Sequence, residues 1–256
     1  MSTSGDPLRL VSTSRASDGS FTAISEIGSL LGDAPYRLIG GVALVLHQHR
    51  LALDHPIRAT ADADFGVPPY ALQDDSLIEA VASLGSRRIA GNRWARSIDA
   101  TRDATVDLLV PSYRTRLRSS VQFGSTNTTE VGGLAIALKR PATEVAGTVT
   151  LTNGMELPLG LLIPDATSML GLKLHARRAR NEDRDAWDLW TCMELVVAAG
   201  ELGEFSSPDF DDIRDQLGQE FGDDGPSTQA VTANVLDPEV QRRRTRIRGL
   251  VRAIGG

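Results

Sequence analysis

Apolar residues at helical spacing, Phe21, Ile24, Ile27, Leu30 and Leu31, predict a short amphipathic helix over 21–31 that ends at Gly32, a residue suited to a C-cap. The run Tyr36 to Ile39 reads as a strand that breaks at Gly40-Gly41, and Val42 to Leu53 continues as a helix. Arg58 to Val67 alternates through Asp62, Ala63, Asp64 and Phe65 and stops at Pro68-Pro69, the pattern of another strand. Leu77 to Leu84 predicts a helix, and Trp94 to Ile98 and Ala104 to Val110 predict strands. Leu134 to Leu159 predicts further strands, with Asn153-Gly154 marking a hairpin. Pro164-Asp165 opens a helical pattern through Arg178, and a polar break at Arg180 to Asp183 precedes a second helix ending near Gly200.

This order predicts an α/β (α+β) core over residues 20–160 and a helical C-terminal region over 161–256. Residues 1–19, rich in Ser, Thr, Gly and Asp, read as a mobile tail. At 256 residues and 41% hydrophobic content the chain can bury a core, which excludes global disorder. The single Cys192 excludes an intramolecular disulfide and a CxxC metal or redox site. No window of about 18 apolar residues appears and the first residues lack the apolar run of a signal peptide, so a soluble, cytoplasmic protein with no membrane partner is expected.

The formal charge of −6 argues against adhesion of the whole surface to nucleic acid and leaves only local basic patches for it. Two such patches stand out: the alternating Arg114, Arg116 and Arg118, and Arg177, Arg178 and Arg180. The C-terminal region is electrically divided, with an acidic stretch over 201–225 and then Arg242, Arg243, Arg244, Arg246, Arg248 and Arg252. The arginines together form a candidate phosphate-binding rim, and pairing between the acidic and basic segments would leave fewer charges for RNA.

Strand side chains repeat every two residues, so Asp62 and Asp64 project from one face and form a pair able to grip a hard cation. Asp107 lies in the apolar run Thr105-Val106-Asp107-Leu108-Leu109-Val110, where an isolated charge is costly unless paired or metal-bound. Gly40-Gly41, between a predicted strand and a helix, places backbone N–H groups where a phosphate can bind.

Ile39-Gly40-Gly41-Val42, Arg58-Ala59-Thr60-Ala61-Asp62-Ala63-Asp64 and Val106-Asp107-Leu108 resemble the glycine, DxD and third-acid motifs of the nucleotidyltransferase superfamily. With Leu172-Lys173-Leu174 and Arg184-Asp185-Ala186-Trp187-Asp188-Leu189 the chain resembles, over about residues 20–200, the AbiEii/AbiGii toxin family that includes the MenT-type toxins. The resemblance implies a mixed β-sheet flanked by helices and an NTP bound against the glycine turn, with Mg²⁺ or Mn²⁺ on Asp62 and Asp64. Asp107 would be the third ligand or the general base. Lys173 would meet NTP phosphate, oriented by Asp185 or Asp188. Gly-Gly-Val replaces the Gly-Ser of many relatives, so Thr60 is the candidate for the missing hydroxyl contact. The implied activity is transfer of a nucleoside monophosphate to a tRNA 3′ end, by a toxin that a separate antitoxin neutralises. A nucleotidyltransferase acting on a small molecule such as an antibiotic or on protein, or a non-catalytic nucleotide-binding module, shares the same residues.

Among the remaining residues, His47 and His49 are two apart on a predicted helix and face different ways, which suits surface or capping roles better than a metal. His175 likewise points away from Lys173. Trp187, Trp190, Met193 and Val197 recur at helical spacing as core, whereas Trp94, flanked by Arg93 and Arg96, is the better candidate for stacking on a base.

Overall fold

Leu8–Val11 forms a strand, β1, and the first helix, α1 (Arg15–Leu31), starts well before the apolar pattern at Phe21, so the expected tail does not extend over 8–19. A local cap and two distant partners hold this low-propensity start: the Ser14 hydroxyl caps the helix by accepting from the Ser17 N–H, and the fully buried Asp18 accepts hydrogen bonds from Arg102 (2.8 Å) and from the Thr152 N–H (3.0 Å). The computed structural model describes residues 7–32, 34–100, 102–114 and 117–255. They divide into two units. The first runs to Arg50 and resumes over Pro56–Asp165; the second takes Leu51–His55 and the chain from Ala166.

After α1 the first unit continues through β2 (Arg37–Ile39), α2 (Gly40–Arg50), β3 (Asp62–Gly66), α3 (Ser76–Ser83), β4 (Arg87–Arg88), β5 (Arg93–Asp99) and β6 (Arg102–Pro111). It closes with β7 (Val121–Phe123), β8 (Thr126–Val131), α4 (Leu134–Lys139), β9 (Thr143–Thr150) and β10 (Glu156–Ile163). The larger sheet has the order β2-β3-β6-β5-β4 and is mixed: β3 runs parallel to β6 and antiparallel to β2, and β5 runs antiparallel to β6. β8 adds in parallel along the last residues of β6. A smaller sheet, β1-β9-β10, contains the hairpin that Asn153-Gly154 predicts, with Gly154 at φ 83°. The chain is therefore a mixed α/β protein with helices flanking mixed sheets, as the sequence pattern predicts.

α1 packs on β6 and β3 of one sheet and on β10 of the other. It buries Phe21, Ile24, Ile27 and Leu31, each worth roughly 1.5–3 kcal/mol of removed apolar surface. The stretch from Leu134, expected as strand, opens as α4 instead. Gly133 turns into it at φ 79°, and Leu134 fills the space that Gly66 leaves on β3, where a Cβ would come 2.4 Å from the leucine.

The second unit is helical: α5 (Ala166–Arg180), α6 (Asp183–Ala198), α7 (Asp211–Glu220), α8 (Pro226–Thr232) and α9 (Asp237–Gly255). The helical region begins at 166 rather than 161 because Gly160 to Ile163 still pair with Ala146 to Thr143 across the hairpin. Leu51–His55 joins this unit through His55, whose Nδ1 hydrogen-bonds the Thr191 hydroxyl at 2.9 Å and whose ring meets Trp190 edge-on. Among the described residues no helix is long and apolar enough to cross a membrane.

Candidate functional site

Asp64 stands at the junction of three strands. It pairs in register with Ile39 of β2 on one side and with Asp107 of β6 on the other. The chain turns into α2 immediately after Ile39, so the glycine turn lies directly against Asp64: a Cβ on Gly40 would stand 2.0 Å from the Asp64 Oδ2. Gly40 also has φ +75°, a conformation that glycine adopts without the steric cost of a side chain. Gly41 lies against Thr60, whose Cβ and Oγ1 would both be 3.1 Å from an added Cβ. The structure thus brings Gly40, Gly41, Thr60, Asp62, Asp64 and Asp107 together along the first half of β3 and the residues that lead into it.

Asp107 is 5% exposed, so its charge needs partners in the protein. They come from β5, whose antiparallel register sets Arg93 opposite Asp107. Arg93 donates from Nε to Oδ1 (3.0 Å) and from Nη2 to Oδ2 (2.6 Å), the bidentate geometry that suits a guanidinium to a carboxylate. The same Nη2 donates to Oδ2 of Asp62 at 2.8 Å. Asn92 adds a bond from Nδ2 to the Asp107 Oδ1 at 3.1 Å and accepts from the Thr129 hydroxyl at 3.3 Å. The hydrogen bonds to Asp107, then the charges of Asp107, Asp62 and Asp64, hold the Arg93 guanidinium ionised well above its ordinary range. Arg93 and Asn92 escape the motif reading. The signal that finds Arg93 is the hairpin register of β5 on β6, carried back from Ser97↔Asp103 to Arg93↔Asp107.

Carboxylates are hard oxygen donors suited to a divalent cation such as Mg²⁺, and the guanidinium between Asp62 and Asp107 is a stand-in cation held by two of the three acids. By donor chemistry Asp62, Asp64 and Asp107 fit the metal that the sequence motifs imply. In the present arrangement, however, no group of three or more His, Cys, Asp or Glu among the described residues is placed to hold one, and Arg93 spans the gap between Asp62 and Asp107.

Lys173, Asp185 and Asp188 belong to the second unit. Lys173 Nζ donates to Asp188 Oδ2 at 2.7 Å, and both side chains are nearly inaccessible. Asp185 accepts from Arg180 instead, through Nε (3.2 Å) and Nη2 (2.9 Å), so Asp188 is the carboxylate that orients the lysine.

The arginine patches are largely spent on internal pairs. Arg177 is buried against Glu220 and the Glu182 carbonyl, and Arg118 pairs with Glu130. On α9, Arg242 and Arg243 pair with Glu239, Arg246 with Glu194 and Arg248 with Asp223. Arg114, Arg178 and Arg252 are exposed, and Arg116 lies outside the described residues. Trp94 is no stacking platform: it is 7% exposed because Val106 and Arg88 flank it across the strands. His47 is not at the surface either. It is fully buried, its Nε2–H donates to the Pro164 carbonyl at 2.7 Å, and burial pushes its pKa down to about 4.

The chain matches no family model and no curated protein.

Proposed function

We propose that this protein is a metal-dependent nucleotidyltransferase, with an NTP as co-substrate and Asp62, Asp64 and Asp107 as its acids. The observation that carries the reading is the contact of Gly40 with Asp64, which joins the phosphate-type glycine turn at the head of α2 to three carboxylates on one sheet end. Asp62 and Asp64 would hold Mg²⁺ or Mn²⁺, which when bound offsets triphosphate charge and favours departure of pyrophosphate. Asp107 would complete the ligand set or take the proton of the attacking hydroxyl. The N–H groups of the Gly40-Gly41 turn and the Thr60 hydroxyl would position the phosphates. The AbiEii/AbiGii-like group, a tRNA 3′ end as acceptor and a cognate antitoxin as partner are proposed on the resemblance of the sequence motifs.

One observation favours an acceptor other than RNA. Many of the arginines that would form an RNA-binding rim are held in internal ion pairs on a chain of net charge −6. The test is incubation of purified protein with Mg²⁺, each labelled NTP and total RNA. Label in tRNA-sized bands, lost in Asp64→Asn, supports the tRNA reading, whereas label only on protein or a small molecule supports the other acceptor. No transfer to any acceptor would overturn the enzyme assignment. If RNA is the acceptor, Arg114→Ala should lower the log–log salt slope of binding by about 0.7–0.9 per lost phosphate contact, and Arg177→Ala should leave it unchanged.

A further inference from the structure

The carboxylate cluster already contains a cation. The Arg93 side chain is about two-fifths exposed (38%), that of Asp62 about as much (39%) and that of Asp107 hardly at all (7%), so the guanidinium lies at the mouth of the site with the buried acid beneath it. Its planar fork fits carboxylate and phosphate oxygens alike. While Arg93 holds both Asp62 and Asp107, a further cation finds no complete ligand set at these acids. A nucleotide triphosphate carries the anionic oxygens that would compensate the guanidinium for leaving the acids.

We propose that Arg93 is a triphosphate-binding residue parked on the acids. In the protein without nucleotide it pairs with both Asp62 and Asp107 and holds them in place. When a metal-bound triphosphate enters, Arg93 yields the two carboxylates and takes the phosphate oxygens in their stead. This inference rests on the nucleotidyltransferase reading, and it makes the site poor at capturing a divalent ion by itself and good at capturing one that arrives with triphosphate. Asn92, tied to Thr129, keeps a hydrogen bond on Asp107 after the guanidinium leaves, so the buried carboxylate is never bare.

The experiment measures two affinities in the full chain: Mn²⁺ alone, by electron paramagnetic resonance, and inorganic tripolyphosphate with Mn²⁺, by calorimetry, in wild type, Arg93→Gln and Arg93→Lys. Arg93→Gln should bind Mn²⁺ alone about tenfold tighter and tripolyphosphate about tenfold more weakly, opposite changes that a merely structural arginine would not produce. Arg93→Lys keeps a charge beside Asp107 and should fall between the two, and it provides the readout if the glutamine variant does not fold. Equal Mn²⁺ affinity in wild type and in either folded variant, or tripolyphosphate binding unchanged, overturns the proposal for Arg93 alone. Failure of the wild type to bind either probe overturns it together with the nucleotidyltransferase reading.

Discussion

Gly40 and Asp64 touch so closely that no side chain fits between them: an added Cβ would lie 2.0 Å from the carboxylate oxygen. The contact ties the first residue of α2 to the middle of β3, and it sets the carboxylate at the positive end of the helix dipole.

Gly40→Ala should therefore destabilise the first unit, by on the order of 1–3 kcal/mol for the left-handed backbone alone, with the overlap added to that. Gly160→Ala is the control, because a Cβ there meets nothing within 4 Å, and its change should stay within about 0.5 kcal/mol. Thermal or urea unfolding compares the two. Equal small losses would mean that the Gly40 turn relaxes and does not position Asp64.

The Lys173–Asp188 pair predicts a different pattern. Lys173→Ala takes the ammonium away from a buried carboxylate and should cost about 3–5 kcal/mol, whereas Lys173→Met combined with Asp188→Leu should recover most of that loss. Urea unfolding of the single and double variants measures it. A double variant as unstable as the single one would show that the pair is worth more than the volume it fills. If the double variant is stable but inactive, the lysine has a chemical role beyond its ion pair.

His47 gives the protein an acid-sensitive element. Burial lowers its pKa from 6.5 to about 4, so the unfolded chain takes up a proton at this residue before the folded one does. The stabilising contribution is complete above pH 6.5 and is lost progressively as pH falls from 6.5 towards 4, amounting to about 3 kcal/mol in all. His47→Gln retains a donor for the Pro164 carbonyl and removes the titration. Its loss of stability between pH 7.5 and pH 5 should be about 2 kcal/mol smaller than that of the wild type in urea melts at the two pH values. An unchanged pH dependence would assign the acid arm to other groups.

Much of the site was legible before the fold was known, and each legible part was local. Strand alternation places Asp62 and Asp64 on one face, and an aspartate inside Val106-Asp107-Leu108 announces a partner because burying it alone is costly. Gly40-Gly41 signals a turn because few other residues adopt φ +75°. What escaped the sequence depends on register and packing between segments far apart in the chain. Arg93 becomes part of the cluster only through the pairing of β5 with β6, and helix α1 reaches back to Arg15 only because Asp18 finds Arg102 and Thr152. The choice of Asp188 over Asp185 for Lys173 likewise belongs to the packing of α5 on α6, since both acids lie on one helix and only its rotation against its neighbour decides which carboxylate meets the ammonium. The sequence by itself determined the acids, the glycine turn and the alternation of strands and helices, because those follow from backbone geometry within a few residues. The tertiary structure alone decided which cation meets those acids, because a charge pair across strands is set by register that no short stretch of chain contains.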